Sequence, residues 1–164
     1  MAWQMKTGLA AVTVATVFAG WSGWSWLSAS QDESLTYAQL RDEALQAGRE
    51  QIAQLSTLDY HDAHAGVARW LDVSTGALRD QLEHTDENAL AATATVSTGK
   101  VLDAAVSDLN AHAGTAKLLA SVEITVAKNG VAPGTKRNRF TAQLTKTDGG
   151  WKLSALDQIP VGAR

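Results

Sequence analysis

After Lys6 the chain has no ionisable side chain until Asp32, and the stretch between is apolar or small throughout. From Thr7 to Leu27 it would extend roughly 30 Å as a helix, the thickness of a bilayer's hydrocarbon core. The pattern predicts one membrane-spanning helix over residues 5–27. The next segment has a different pattern. Tyr37, Leu40, Ala44, Ile52 and Leu55 recur close to helical spacing among charged residues, which predicts an amphipathic helix with Ser34 or Thr36 as its N-cap. Ala63, Val67, Trp70 and Leu71 mark a second helix. Leu78 and Leu82, behind the hydroxyl residues that open "STGALRDQLEHTDENALAA", mark a third. Breaks fall at Ser56–Thr57 and Asp72–Ser74, and Gly76 fits a tight entry into the third helix.

The second half changes period. Ala120, Val122, Ile124 and Val126 alternate with Ser121, Glu123 and Thr125, as in a strand with one buried face. "NGVAPGTK" supplies a turn, and Phe140, Ala142 and Leu144 alternate again after it. "DGG" predicts a hairpin, followed by Trp151, Leu153 and Ala155 on one face of a last strand. An earlier strand is marked by Leu102, Ala104 and Val106, its signal diluted by alanine. The sum is an α+β chain: an N-terminal transmembrane helix, then about three helices packed on a curved antiparallel sheet of about four strands.

Composition sharpens the first segment. Trp21, Trp24 and Trp26 crowd its far end, and Trp3 stands at its near end. Trp3 and Trp24 would lie roughly 30 Å apart along a helix, which suits anchors at the two membrane–water interfaces. The alternative is a cleaved signal peptide with Lys6 as its basic region and "SAS" as its cleavage site. Ser fits that site less well than Ala, and the apolar run exceeds the usual length of about 7–15 residues. Lys6 lies on the N-terminal side and "QDES" follows the span, so the rule that positive residues stay inside predicts a cytoplasmic N-terminus. The expected organisation is therefore a short cytoplasmic tail with anchor over residues 1–30. An extracytoplasmic domain over residues 31–164 follows, in a single-pass protein of the cell membrane.

Net charge is −3 and cysteine is absent. No basic cluster suits a nucleic-acid backbone, so no nucleic-acid partner is expected. "KRNR", Lys136 to Arg139, reads as a solvated loop and strand start, with an anionic partner as the alternative. Without cysteine there are no disulfides, thiolate nucleophiles or lipid-attachment site, and the core alone must stabilise the domain.

"DYHDAHAG" is the most tempting place for chemistry, with Asp59, Tyr60, His61, Asp62 and His64 close together. His61 and His64 are neighbours on a helix and Asp62 is a conceivable third ligand, but His84 and His112 are remote. Polar residues at a helix start account for the cluster better, since carboxylates favour the N-terminal dipole. Asp59 or Asp103 would serve as a general base only if buried. Trp70 and Trp151 read as core residues in preference to ligand platforms. No residue is assigned as catalytic, cofactor-binding or metal-ligating, and no cofactor is expected.

The order of an anchor, then "TLDYHDAHAGVARWLDVSTGALRDQL", then "NRFTAQLTKTDGGWKLSALDQIPV", resembles the actinobacterial Mce-associated membrane proteins. The pieces that carry the resemblance are "LDY", "WLDVSTG" at Trp70 to Gly76, and "GGWKLSAL". It implies a nuclear-transport-factor-two-like, or cystatin-like, cone fold. That fold also serves SnoaL-type cyclases, ketosteroid isomerase and type IV secretion scaffold subunits, so it does not decide function. The resemblance implies no enzyme. It implies an accessory subunit that stabilises or organises an envelope complex, with the membrane and the proteins of an Mce-type lipid importer as partners. The alternative is a pocket domain that binds a lipid or small apolar molecule, with SnoaL-like or isomerase-like activity. Many relatives of this kind have a longer cytoplasmic segment than Met1–Lys6.

If the crowded tryptophans belong to the membrane, residues 32–164 alone should fold and stay soluble without detergent. Thermal melting and gel filtration of that fragment check this; aggregation would return the three rings to the domain's core.

Overall fold

The computed structural model describes residues 34–160 apart from residue 129. The expected anchor, residues 1–30, lies outside the described residues. The chain divides into two compact units, residues 1–39 and 40–164. Of the first unit only 34–39 are described, as part of helix α1, whose described residues are 34–55. Tyr37, expected on the apolar face, is instead exposed there, as is Leu35. Ser34 and Thr36, the expected N-caps, are both helical residues of α1.

In the second unit the remaining elements follow in order: β1 Leu58–Asp59, a 3-10 turn Tyr60–Asp62, α2 Ala63–Val73, α3 Gly76–Glu83 and α4 Glu87–Ala92. Four long strands follow, β2 Thr95–Asn110, β3 Thr115–Lys128, β4 Val131–Thr147 and β5 Gly150–Ile159. All pair antiparallel in the order β1-β2-β3-β4-β5. The helices-then-strands order and the α+β class are as the hydrophobic periods predict.

The third expected helix is two. His84 ends α3, and Asp86 accepts from the backbone N–H groups of Asn88 and Ala89 to start α4. A capping aspartate opens a new helix more readily than it sits inside an old one. Gly76 opens α3 with φ +56, a left-handed conformation that L side chains rarely adopt.

Bulges explain where the strand pattern misled. Leu102 is the extra residue of a register shift between Val101 and Asp103, so it stands exposed instead of joining Ala104 and Val106. A second shift removes Ser107 from the ladder and brings Leu109 into the core. In β5 a shift displaces Ala155 to the outer rows, opposite Gln143, and Leu156 takes the core-side place opposite Ala142. The turn in "NGVAPGTK" is also shorter than its Gly and Pro suggest. Val131 already pairs with Lys128, and Pro133 lies in β4. The proline is tolerated because, among the described residues, β5 does not reach that far and this part of β4 lies at an edge.

The core lies between α1 and one face of the sheet. Ala44 and Ile52 pack with Leu118, Val122, Ala142, Leu144 and Leu153, all essentially inaccessible to solvent. Gly48 sits between Ala44 and Ile52, and a Cβ there would overlap the Leu118 side chain. The two surfaces therefore meet with no spare space at this level. Trp70 ties α2 to the end of α1, its indole N–H shared between the carbonyls of Gln54 and Thr57 at 3.1 and 3.2 Å. Thr75 N–H donates to Leu153 C=O at 2.8 Å, which fastens the α2–α3 link to β5.

Trp151 closes one end of the core at 5% exposure, with the Lys146 ammonium 5.7 Å from its ring centroid and its carbonyl accepting from the Gln51 amide. Trp151→Ala should cost roughly 3–5 kcal/mol, the range for large-to-small core changes. Among the described residues its indole N–H meets no acceptor, so Trp151→Phe should cost clearly less. Chemical denaturation of the three proteins checks the order; an unaltered midpoint for the alanine variant would remove Trp151 from the core.

Candidate functional site

The "DYHDAHAG" cluster is spent on helix starts. Asp59 caps the 3-10 turn by accepting from His61 N–H at 2.9 Å, and the His61 imidazole lies 2.7 Å from the same carboxylate. These contacts, the backbone donor first, hold the Asp59 carboxyl below the ordinary carboxylate range. Asp62 caps α2 through Ala65 N–H. His64 turns to Glu87 of α4, 3.0 Å away, while the Tyr60 and His61 rings stack with centroids 3.9 Å apart. The two histidines thus face different carboxylates and do not converge with Asp62. Among the described residues no group of three His, Asp or Glu side chains is placed to hold a metal.

His84 bonds the Asp80 carbonyl at the end of α3, and His112 lies in the β2–β3 turn; neither joins the pair. Asp59 and Asp103 are both exposed, so neither is a buried base. Trp151 is core as expected. Trp70 is only half-buried and acts as a hydrogen-bonded strut.

The sheet's outer face offers two features. Register brings Asp103, Ser121, Arg139 and Ile159 into one row and Ala105 and Leu119 into the next. Together they line an open, mainly apolar hollow of about 270 Å³. Nothing in the sequence marks it, because its residues come from four strands and meet only through register. The second feature is the end of the β3–β4 ladder. "KRNR" does not form a loop there; it forms strand residues, with Arg137 paired to Glu123 at 3.1 Å.

The fold has relatives among solved structures. The periplasmic domain of DotI aligns over 71% of this chain and 93% of its own, with TM-score 0.58 and 14% identity. CagV of Helicobacter pylori, a VirB8 homolog of a type IV secretion system, aligns over 74% and 99%, with TM-score 0.57 and 7% identity. At such identities the likeness is one of fold, the nuclear-transport-factor-two-like cone shared with VirB8. In sequence, the "Uncharacterized protein Rv1363c" of Mycobacterium tuberculosis is 26% identical over 156 residues, covering 93% of this chain. The chain spans 59% of that relative's length. The model of the family described as "Uncharacterized protein Rv1363c/MT1408-like" matches residues 5–160, and the chain belongs to that family.

Proposed function

We propose that this protein is a non-enzymatic, membrane-anchored accessory subunit that stabilises or organises an envelope complex, and that the complex is an Mce-type lipid importer. The supporting observation is the filled interface between α1 and the sheet. Gly48 presses on Leu118 where a catalytic cone would need open space, and the acids considered as bases point to solvent. The structural relatives support the coarser part, since CagV is named as part of a secretion system. The Mce setting rests on the sequence resemblance. The pocket-domain alternative requires an enclosed cavity holding an unpaired acid or base, and Asp59 and Asp103 do not supply one.

In this reading residues 5–27 cross the membrane once and the described domain faces outward. Ser30→Cys should react with a membrane-impermeant thiol reagent in intact cells, in a chain that otherwise has no cysteine; protection until lysis would reverse the orientation. Affinity purification from native membranes in mild detergent should recover Mce importer subunits in reproducible ratio. Recovery of the chain alone, or with an unrelated assembly, would reject the importer setting.

A further inference from the structure

The long ladder is unequal at its two sides. Among the described residues β5 pairs with β4 only from Arg139 onward, opposite Ile159, so there β4 from Val131 to Asn138 has a partner, β3, on one side alone. Nothing among the described residues pairs with the other side, a strand edge that presents backbone donors and acceptors to an extended chain of compatible side chains.

Charge defines what is compatible. The end of the sheet built from the start of β2, the end of β3 and the start of β4 holds Lys100, Lys128, Lys136, Arg137 and Arg139 against Glu123 and, in the row of Arg139, Asp103. The chain as a whole is −3, so this end is a basic exception. Arg137 is satisfied by Glu123, while Lys136 and Arg139 form no ion pair among the described residues. Register places them on opposite faces: Lys136 pairs with Ile124 in a helix-side row, and Arg139 pairs with Ser121 in an outer row. A flat anionic surface would meet only one of these faces. A strand laid along the edge would meet both, because its own side chains alternate between them. The same charges, with Pro133, oppose pairing with a second copy, which would bring like charges together.

We infer that this edge of β4 over Gly134–Asn138 docks an extended, acidic segment of a protein partner, added to the sheet as a strand. Backbone hydrogen bonds hold the segment, and Lys136 and Arg139 select acidic side chains on its two faces. The proposal deepens the accessory-subunit reading by giving the partner's contact a place and a chemistry. It is tested on the purified chain, so its failure leaves the membrane-complex result untouched.

The full chain in neutral maltoside detergent is titrated against a fluorescein-labelled octapeptide carrying glutamate on both faces of its extended form. Anisotropy should show saturable binding that weakens with added salt. Lys136→Glu combined with Arg139→Glu should weaken it at least about tenfold and should confer binding of the lysine-for-glutamate counterpart peptide. Both side chains are exposed and form no ion pair among the described residues, and a thermal melt confirms that the variant is folded. In the wild type, exchange of those amides of 134–138 that point away from β3 should slow only when the acidic peptide is present. Absent binding, equal affinity in the charge-reversed variant, or outward-pointing amides already protected without peptide would each overturn the inference. So would a concentration-dependent dimer that protects the same amides. Val131, 64% exposed at this end, makes a lipid surface the remaining competitor. Binding to phosphatidylglycerol vesicles, lost on the same charge reversal and unaccompanied by peptide binding, would assign the site to lipid instead.

Discussion

The close crossing of α1 over β3 and β4 is the contact on which the rest of the domain depends. Gly48 has no side chain at the point where α1 meets Leu118 and Leu144, and Ala44 and Ile52 flank it one helical turn to either side. This small-residue saddle lets the helix lie directly on the sheet, so Leu118, Val122, Ala142, Leu144 and Leu153 are buried together. Other attachments are peripheral. Lys146 reaches Glu43 at 3.4 Å near one end of the crossing, and Gly99 N–H donates to Thr57 Oγ1 at 3.1 Å near the other. Both position the helix along the sheet, but an exposed ion pair contributes little beside the apolar contact.

Where the sequence could be read, a single period governed a whole element. β3 and β4 keep strict alternation through their buried stretches, and the core side of α1 repeats Ala44, Gly48 and Ile52 every four residues. Reading failed where a local event reset the phase. The bulges at Leu102, at Ser107 and beside Ser154 each slip one residue, and each turns later side chains to the other face. Asp86 likewise resets a helix by capping, a competition that the apolar spacing of Leu78 and Leu82 does not register. The candidate chemistry followed the same logic. His61 and His64 are near in sequence, yet one is drawn to its own cap residue and the other to a later helix. The hollow beside Arg139 was illegible for the converse reason, since it depends on register among strands far apart in the chain.

The bulges have a further consequence. Each adds a residue to one strand of a pair and increases local twist, so the sheet curls around α1 instead of lying flat beneath it. A cone that curls around a filled interface has little interior left for chemistry at that level. Its exposed assets are its rows, its edges and the hollow on its outer face.

Those edges are treated differently along the sheet. β1, though only Leu58–Asp59, covers Val96 and Ser97 of β2, and the Ser74–Leu153 bridge fastens a loop against β5. The bulges at Leu102 and Ser107 interrupt the remaining edge of β2, which hinders regular pairing there. The start of β4 is protected by Pro133 and by positive charge. Covering a strand blocks every visitor, and a bulge spoils the geometry for all of them. Charge is selective: it repels a second basic edge and attracts an acidic one. Selective protection at one edge, beside a core with no room at the α1 crossing, fits a domain whose surface meets a particular partner.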